Sequence, residues 1–438
     1  MHHDPAHDLH WKEYKTLLLS APGGALELYD FIIFVFLAPV LGDLFFPADM
    51  PGWLRLVQTF GIFAAGYLTR PLGGIVMAHF GDRVGRKKMF TLSIFMMALP
   101  TLTMGMLPVY TSTGIAAPLL LLLTRMLQGV AVGGEVPGAW VFVSEHIPGR
   151  RTGLACGVMS AGLGAGILLG STVALMLNSL LSPQAVAGGG WRIPFLLGGL
   201  SGMTALYLRR WLKETPVFLS MQLHRSLSAE LPLKRVILNH KKAVVMSVLL
   251  TWMMSAGIVV VLLMTPVWLQ KQMGISPQVS LEANSIAIAM QMMGGIIAGM
   301  AIDRFGAGRT LSLGSLLMAG CCWLFYTETG RHPDMLFALY ALAGLSVGVV
   351  SAAPYVLVRA FPAAVRFSGV SFSYNIAYAI FGGLTPVLVI YMMKLTPLAP
   401  AYCVMILSVI GILVGILLHP GVKGKCGSII SETDEERR

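Results

Sequence analysis

Charge is scarce in this chain of 438 residues: Asp, Glu, Lys and Arg together make 12%, about half of what a water-soluble chain carries. A polypeptide that is 56% apolar, with a mean hydropathy of +0.75, is neither a soluble domain nor a disordered one. Cysteine is sparse as well. Cys156, Cys321, Cys322, Cys403 and Cys426 lack metal-ligand spacing and four lie in apolar runs, so neither a disulfide framework nor a metal centre is expected. A GxxxxGK[ST] phosphate loop and an HExxH pair are both absent. An ATP-driven pump needs the first, so any driving energy has to come from gradients, and no cofactor or catalytic constellation is read. The net charge of +11 comes without a basic stripe interleaved with aromatics, which argues against nucleic acid as a partner.

What the chain does have is long uncharged runs. Crossing roughly 30 Å of hydrocarbon takes about 20 apolar residues. Such runs lie at 17–42, 53–79, 89–108, 117–142, 153–181 and 192–208, and, after a polar stretch with eight Lys and Arg, at 243–266, 283–302, 310–327, 335–358, 368–393 and 398–418. The expected fold is an all-α membrane protein of twelve transmembrane helices in two six-helix bundles. The bundles are 17–208 and 243–418, joined by a linker at 209–242 and flanked by tails at 1–16 and 419–438. Of the 31 Lys and Arg, 24 fall in the tails and every second loop, which puts both termini in the cytoplasm. The stretch ahead of the first apolar run is polar and the run itself is long and carries acids, so no cleavable signal peptide is expected there. The lipid bilayer is one partner, and a monomer is expected.

The two halves repeat each other. Gly81-Asp82-Arg83-Val84-Gly85-Arg86-Lys87-Lys88 follows the second run, and Ile302-Asp303-Arg304-Phe305-Gly306-Ala307-Gly308-Arg309 follows the eighth, with Asp303 in the place of Asp82. Internal duplication around a central cavity is how many secondary transporters are built. In these loops Gly81 and Gly85 permit a tight turn, Asp82 can cap the next helix or pair with an Arg, and Arg83 and Arg86 can hold helix C-terminal carbonyls. With its copy at Asp303 and Arg304, such a cluster can latch the two halves in one state. The plainer alternative is an anchor that fixes topology.

A charge inside hydrocarbon costs at least a few kcal/mol, so a span that keeps one turns it inward and usually uses it. There are five: Glu27 and Asp30 in the first run, Arg70 in the second, Arg125 and Glu135 in the fourth. Glu27 and Asp30 share a helix face and cannot both ionise easily in a low dielectric, which suits proton carriers; Glu135 is a third candidate. Arg70 and Arg125 carry the fork that grips a carboxylate in two places. Gln128 lies near Arg125, and Gln291, Tyr374, Asn375 and Tyr378 supply neutral contacts from the second half. The alternative is that the two arginines only neutralise the three acids and that the polar groups are ordinary glue between helices. Glycines at spacings of four, including Gly129 with Gly133 and Gly153 with Gly157, point to close helix packing.

Several of these segments together resemble a known family. Gly23 to Phe34 (GGALELYDFIIF), Arg70-Pro71-Leu72-Gly73-Gly74, GDRVGRKK, Arg125 to Glu135 (RMLQGVAVGGE), Trp191-Arg192-Ile193-Pro194-Phe195 and Leu212 to Phe218 (LKETPVF) are similar to those of the major facilitator superfamily. Within it they look like the metabolite:proton symporters that carry shikimate, 2-oxoglutarate, citrate and proline or betaine. Leu28 and Val136-Pro137-Gly138 depart from the family pattern and mark a divergent branch. The resemblance implies alternating access by two rocking bundles of a bacterial inner-membrane protein. It also implies uptake of a small organic anion or zwitterion, coupled to protons. An exporter of the same fold is the rival, and Ser171 after Gly170 does not fit the antiporter pattern; a membrane receptor that retains the fold without transporting is the other, against which the intact loop and the embedded charges argue.

Overall fold

The computed structural model describes residues 24–26, 28–147, 149–209, 232–393 and 395–419. Glu27, the expected N-terminal tail, the linker from 210 to 231 and the C-terminal tail beyond His419 lie outside them, as do the side chains of Asp82, Arg83 and Arg86. No strand occurs among the described residues. Hydrocarbon offers no water to the backbone, so a chain this apolar satisfies its N–H and C=O groups within helices.

α1 (Gly24–Phe36) bends by 62° into α2 (Ala38–Phe45). Pro39, in the first turn of α2, has no N–H with which to continue the ladder. α3 (Gly52–Val84), α4 (Arg86–Met106), α5 (Ala116–His146), α6 (Thr152–Leu180) and α7 (Arg192–Arg209) complete the first half. The second half begins with the short α8 (Pro232–Asn239). α9 (Lys241–Ile258) then runs through a π-helical stretch, Val259–Met264, into α10 (Thr265–Met273). α11 (Pro277–Phe305) and α12 (Ala307–Glu328) follow, then α13 (Leu336–Val347) and α14 (Ala352–Arg359) across a 3-10 turn. α15 (Arg366–Ala377) and α16 (Gly383–Met393) are joined by a second π-helical turn, Tyr378–Gly382, and α17 (Ala399–Leu417) ends the bundle. Among the described residues eight helices are long and apolar enough to cross a bilayer, or nine with the bent α1–α2 pair counted. α3, α7 and the interrupted α15–α16 are helices over three further expected spans.

The duplication is visible in the backbone. Gly85 between α3 and α4 has φ 129°, and Gly306 between α11 and α12 has φ 86°. Both are in the region that disfavours a side chain, and they hold the same place in the two copies of the loop, each three positions after its aspartate.

Within the first half α3 packs on α5 and α4 on α7; within the second, α11 packs on α13 and α12 on α17. The halves meet where α6 lies on α11 and where α15 lies on α3 and α5. Lipid tails are as apolar as leucine, so helices in a membrane associate by close fit and polar contacts. A Cβ on Gly129 would run into the Gly66 carbonyl, and one on Gly133 into the Arg70 carbonyl. Across the halves, a Cβ on Gly153 or Gly157 would come within 2.5 or 2.6 Å of the Gly299 or Gly295 carbonyl. Gly133→Val is therefore expected to destabilise the protein by about 1–3 kcal/mol through overpacking. The check is the melting temperature of the solubilised protein, and an unchanged value would mean that α3 and α5 part without cost.

Candidate functional site

The halves enclose a cavity of about 80 Å³, enough for several water-sized groups. The two π-helical stretches of the second half border it, through Val259, Leu263 and Tyr378, whereas the one at Val186–Gly190 in the first half does not; such bulges re-aim side chains, frequently at functional sites. α1 contributes Phe31; α3 contributes Tyr67 and Arg70; α5 contributes Trp140; α15 contributes Tyr374; and α11 contributes Gln291. Arg70 is the one cation in this lining among the described residues. Its guanidinium carbon lies 4.4 Å from the Tyr378 ring centroid, 5.2 Å from that of Tyr374 and 5.5 Å from that of Tyr67, and only 3% of the residue is exposed. The rings of Tyr67 and Tyr378 stack at 6.3 Å, and Trp140 meets Tyr374 edge-on at 5.2 Å. This aromatic cage spreads the positive charge over ring faces.

Four buried polar atoms of the lining have no hydrogen-bond partner among the described residues: Arg70 Nε, Trp140 Nε1, Ser160 Oγ and Ser351 Oγ. Buried polar atoms are normally paired, so a group of them around one cavity marks the place where a polar solute can supply the missing bonds. Trp140, Ser160, Ser351 and Tyr67 are absent from the sequence-based candidates. A tryptophan deep in an apolar run was the available signal; two serines in helices carry none.

Of the expected substrate contacts, Arg70, Gln291, Tyr374 and Tyr378 line the cavity, whereas Arg125, Gln128 and Asn375 do not. Arg125 turns behind the wall. Its guanidinium carbon lies 4.0 Å from the Phe31 ring centroid and 4.7 Å from those of Phe34 and Phe63. Arg125 donates to the Gln128 Oε1 at 2.8 Å and to the Phe31 carbonyl at 2.9 Å. Gln128 Nε2 donates in turn to Thr101 Oγ1 at 2.7 Å, and Thr101 is in hydrogen-bond contact with Asp30. Asn375 Nδ2 donates to the Gly133 carbonyl at 2.6 Å, which ties α15 to α5 across the two halves.

Asp30 is 2% exposed and sits against Gly198 of α7, where a Cβ would collide with its Oδ1. It lies within electrostatic reach of Glu135, which is itself fully buried on α5. Asp30 and Arg125 thus end a single run of polar groups, Asp30–Thr101–Gln128–Arg125, packed directly behind Phe31 of the cavity wall. Breaking a buried charge network leaves the remaining members uncompensated. Arg125→Gln is accordingly expected to cost on the order of 3 kcal/mol of stability, seen as a lowered melting temperature with or without solute. A melting temperature equal to that of the native protein would remove this structural role.

At the end that carries the basic loops, Asp303 accepts from the backbone N–H groups of Gly153 and Leu154, at 2.8 Å each, across the two halves. A carboxylate at the start of α6 is favoured by the helix dipole. Gly81 presses on Phe367, and Arg304 is exposed with its charge over the Phe305 ring at 5.3 Å. The buried pair Arg366 to Glu145, 2.9 Å apart, also crosses the halves. Sequence reading did not single it out, since partners on different halves of the chain leave no local pattern. One pentapeptide, Gly344-Leu345-Ser346-Val347-Gly348, does match GxSxG spacing, against the expectation of no catalytic constellation. It spans the end of α13 and the first residue of the 3-10 turn, with Ser346 inside the helix donating to the Ala343 carbonyl at 2.7 Å, and does not lie on the strand-to-helix turn that makes a nucleophile.

Residues 21–297 match the family described as the Major Facilitator Superfamily. The chain is 31% identical to the glycine betaine/proline/ectoine/pipecolic acid transporter OusA of Dickeya dadantii (strain 3937), over 92% of this chain and 83% of that one. It is 30% identical to the citrate-proton symporter of Klebsiella pneumoniae, over 92% of this chain and 91% of that one. Among solved structures, the MFS proton:xylose symporter XylE bound to 6-bromo-6-deoxy-D-glucose superposes with a TM-score of 0.79. It shares 17% sequence identity and covers 97% of this chain and 99% of its own.

Proposed function

This chain belongs to the Major Facilitator Superfamily, and from that premise we propose that it is a proton-coupled symporter that takes up a small carboxylate-bearing solute by alternating access. In this reading twelve spans cross the inner membrane of a bacterium with both termini in the cytoplasm, and the monomer transports without ATP. The relatives named as proline/betaine and citrate–proton carriers support the class of reaction.

One observation carries the choice of solute: a single cation among the described lining residues, Arg70, in a cavity whose other lining groups are rings, apolar side chains and a few neutral polar ones. One guanidinium fork matches one carboxylate. Trp140, Phe31 and Tyr67 offer ring faces to a cationic ammonium, while Ser160, Ser351 and Gln291 offer hydrogen bonds. A zwitterion with one carboxylate, of the betaine or imino-acid kind, fits these groups better than a tricarboxylate, which would bring two further negative charges to a site whose described lining holds no second cation. Asp30 carries the proton, and the path through Thr101, Gln128 and Arg125 couples its state to Phe31 at the wall. Where Asp303, Glu145 and Arg366 hold the halves together, the cytoplasmic end is shut; loading and protonation release it. Glu27, outside the described residues, remains a second candidate carrier beside Asp30, with Glu135 a third.

The test is a thermal-shift screen of the purified protein against betaines, imino acids, citrate and sugars, because a ligand that binds the folded state raises its stability. Stabilisation by a monocarboxylate zwitterion, followed by potential-driven uptake of the same compound into proteoliposomes, is the expected result. Stabilisation by citrate alone, or by apolar cations alone, would overturn the choice of solute or favour the exporter.

A further inference from the structure

A second cavity lies on the outside of the C-terminal half, in the groove between α11, α12 and α13. It measures about 500 Å³ and is walled by Ile297, Leu313, Leu317 and Leu342, all exposed. Its walls are apolar apart from Ser346, whose hydroxyl donates to the Ala343 carbonyl, and one end carries Arg309 and Thr310, at the turn joining α11 to α12. This is the end of the bundle where the basic loops lie. From Arg309 to Cys321, the furthest groove residue on α12, the helix rises about 18 Å at 1.5 Å per residue. One leaflet of a bilayer is roughly 15 Å deep in hydrocarbon. The groove therefore has the length of one acyl chain and a cation where the headgroup of that chain would stand.

We infer that this groove is a binding site for one anionic glycerophospholipid of the cytoplasmic leaflet, with an acyl chain between α12 and α13 and the phosphate on Arg309. Arg309 is held for this contact by His419, two residues past the end of α17, since its Nε donates to His419 Nε2 at 3.4 Å. Its guanidinium supplies further N–H groups to a phosphate, while the Thr310 hydroxyl next in the chain donates to the Gly306 carbonyl at 2.9 Å. Asp303, the acid on the same helix end as this turn, faces the other way and is engaged by Gly153 and Leu154. The position has a consequence for the two halves. Ile297 projects from α11 on the side opposite Gly295 and Gly299, the residues that touch α6, so a lipid in the groove braces the helix that forms the joint between the halves.

The full-length protein, purified in detergent and stripped of lipid, is titrated with dioleoyl-phosphatidylglycerol or dioleoyl-phosphatidylcholine, and retained lipid is counted by native mass spectrometry. The expected result is one tightly retained lipid, with the anionic lipid preferred by about tenfold. Arg309→Gln should bring the two lipids to equal retention, and Arg309→Lys should keep most of the preference. Ala301→Phe, which fills the groove at a half-buried lining position, should remove the tightly held lipid of either kind. Equal retention of both lipids by the native protein, or an anionic preference undiminished in Arg309→Gln, would overturn the assignment. Arg309 is exposed, so its variants test the site even if Ala301→Phe fails to fold.

Discussion

Asp30→Asn is expected to abolish concentrative uptake while leaving solute exchange intact. One proton moving down 100 mV supplies about 2.3 kcal/mol, which at 1.36 kcal/mol per tenfold is roughly 50-fold accumulation of a neutral solute. The variant should fall to a ratio of one. Asn has the shape of Asp and keeps a carbonyl oxygen for Thr101, so the network to Arg125 stays assembled, and only the capacity to gain and lose a proton disappears. The contact of Asp30 with Gly198 leaves no room for a longer side chain, so Asp30→Glu is expected to fail as a rescue. The measurement is uptake of labelled solute into proteoliposomes under an imposed potential, with exchange measured alongside. A variant that still concentrates solute to the native ratio would show that the proton travels on another group, with Glu135 and Glu27 the next to replace.

Arg70→Gln is expected to raise the apparent KM for the carboxylate solute by about 100-fold or more, close to 2.7 kcal/mol at 1.36 kcal/mol per decade. Charge-assisted hydrogen bonds from a buried fork are among the strongest single contacts a solute can make. Arg70→Lys should lie between the two, since an ammonium gives charge without the planar fork. The same pair of changes at Arg125 is expected to differ in kind. That side chain is locked to Gln128 and the Phe31 carbonyl behind the wall, so its loss appears first as reduced stability. Equal rises in KM from Arg70→Gln and Arg125→Gln, with unchanged melting temperatures, would move the solute off Arg70 alone.

Much of the site was legible because a charge in an apolar run is conspicuous. Asp30, Arg70, Arg125 and Glu135 could be picked from the chain without any structure, and all four are buried. Their division of labour could not. Arg70 and Arg125 have the same chemistry and similar surroundings in sequence, and only the rotation of each helix decides that one meets Tyr378 across the halves while the other meets Phe34 and Phe63 within one half. The serines of the cavity were illegible for a different reason. Ser160 and Ser351 become informative only when seen to be buried without partners, and burial is a property of the assembled bundle. The GxSxG match at Gly344 to Gly348 is the converse, a pattern of letters whose meaning its helical setting cancels.

Helicity, residence in a membrane and construction from two related halves follow from the order of the residues alone. Long apolar runs leave the backbone no partner but itself, and the loop duplicated in the second half repeats its positive-φ glycine, Gly85 in one copy and Gly306 in the other. Which groups face one another across the halves was settled by the packing of the bundles: Arg70 among three tyrosines, Asp303 on the start of α6, Arg366 on Glu145. Those contacts depend on the separation and rotation of helices packed glycine to backbone, where the collision of a single Cβ sets the distance, and no local run of residues encodes that distance.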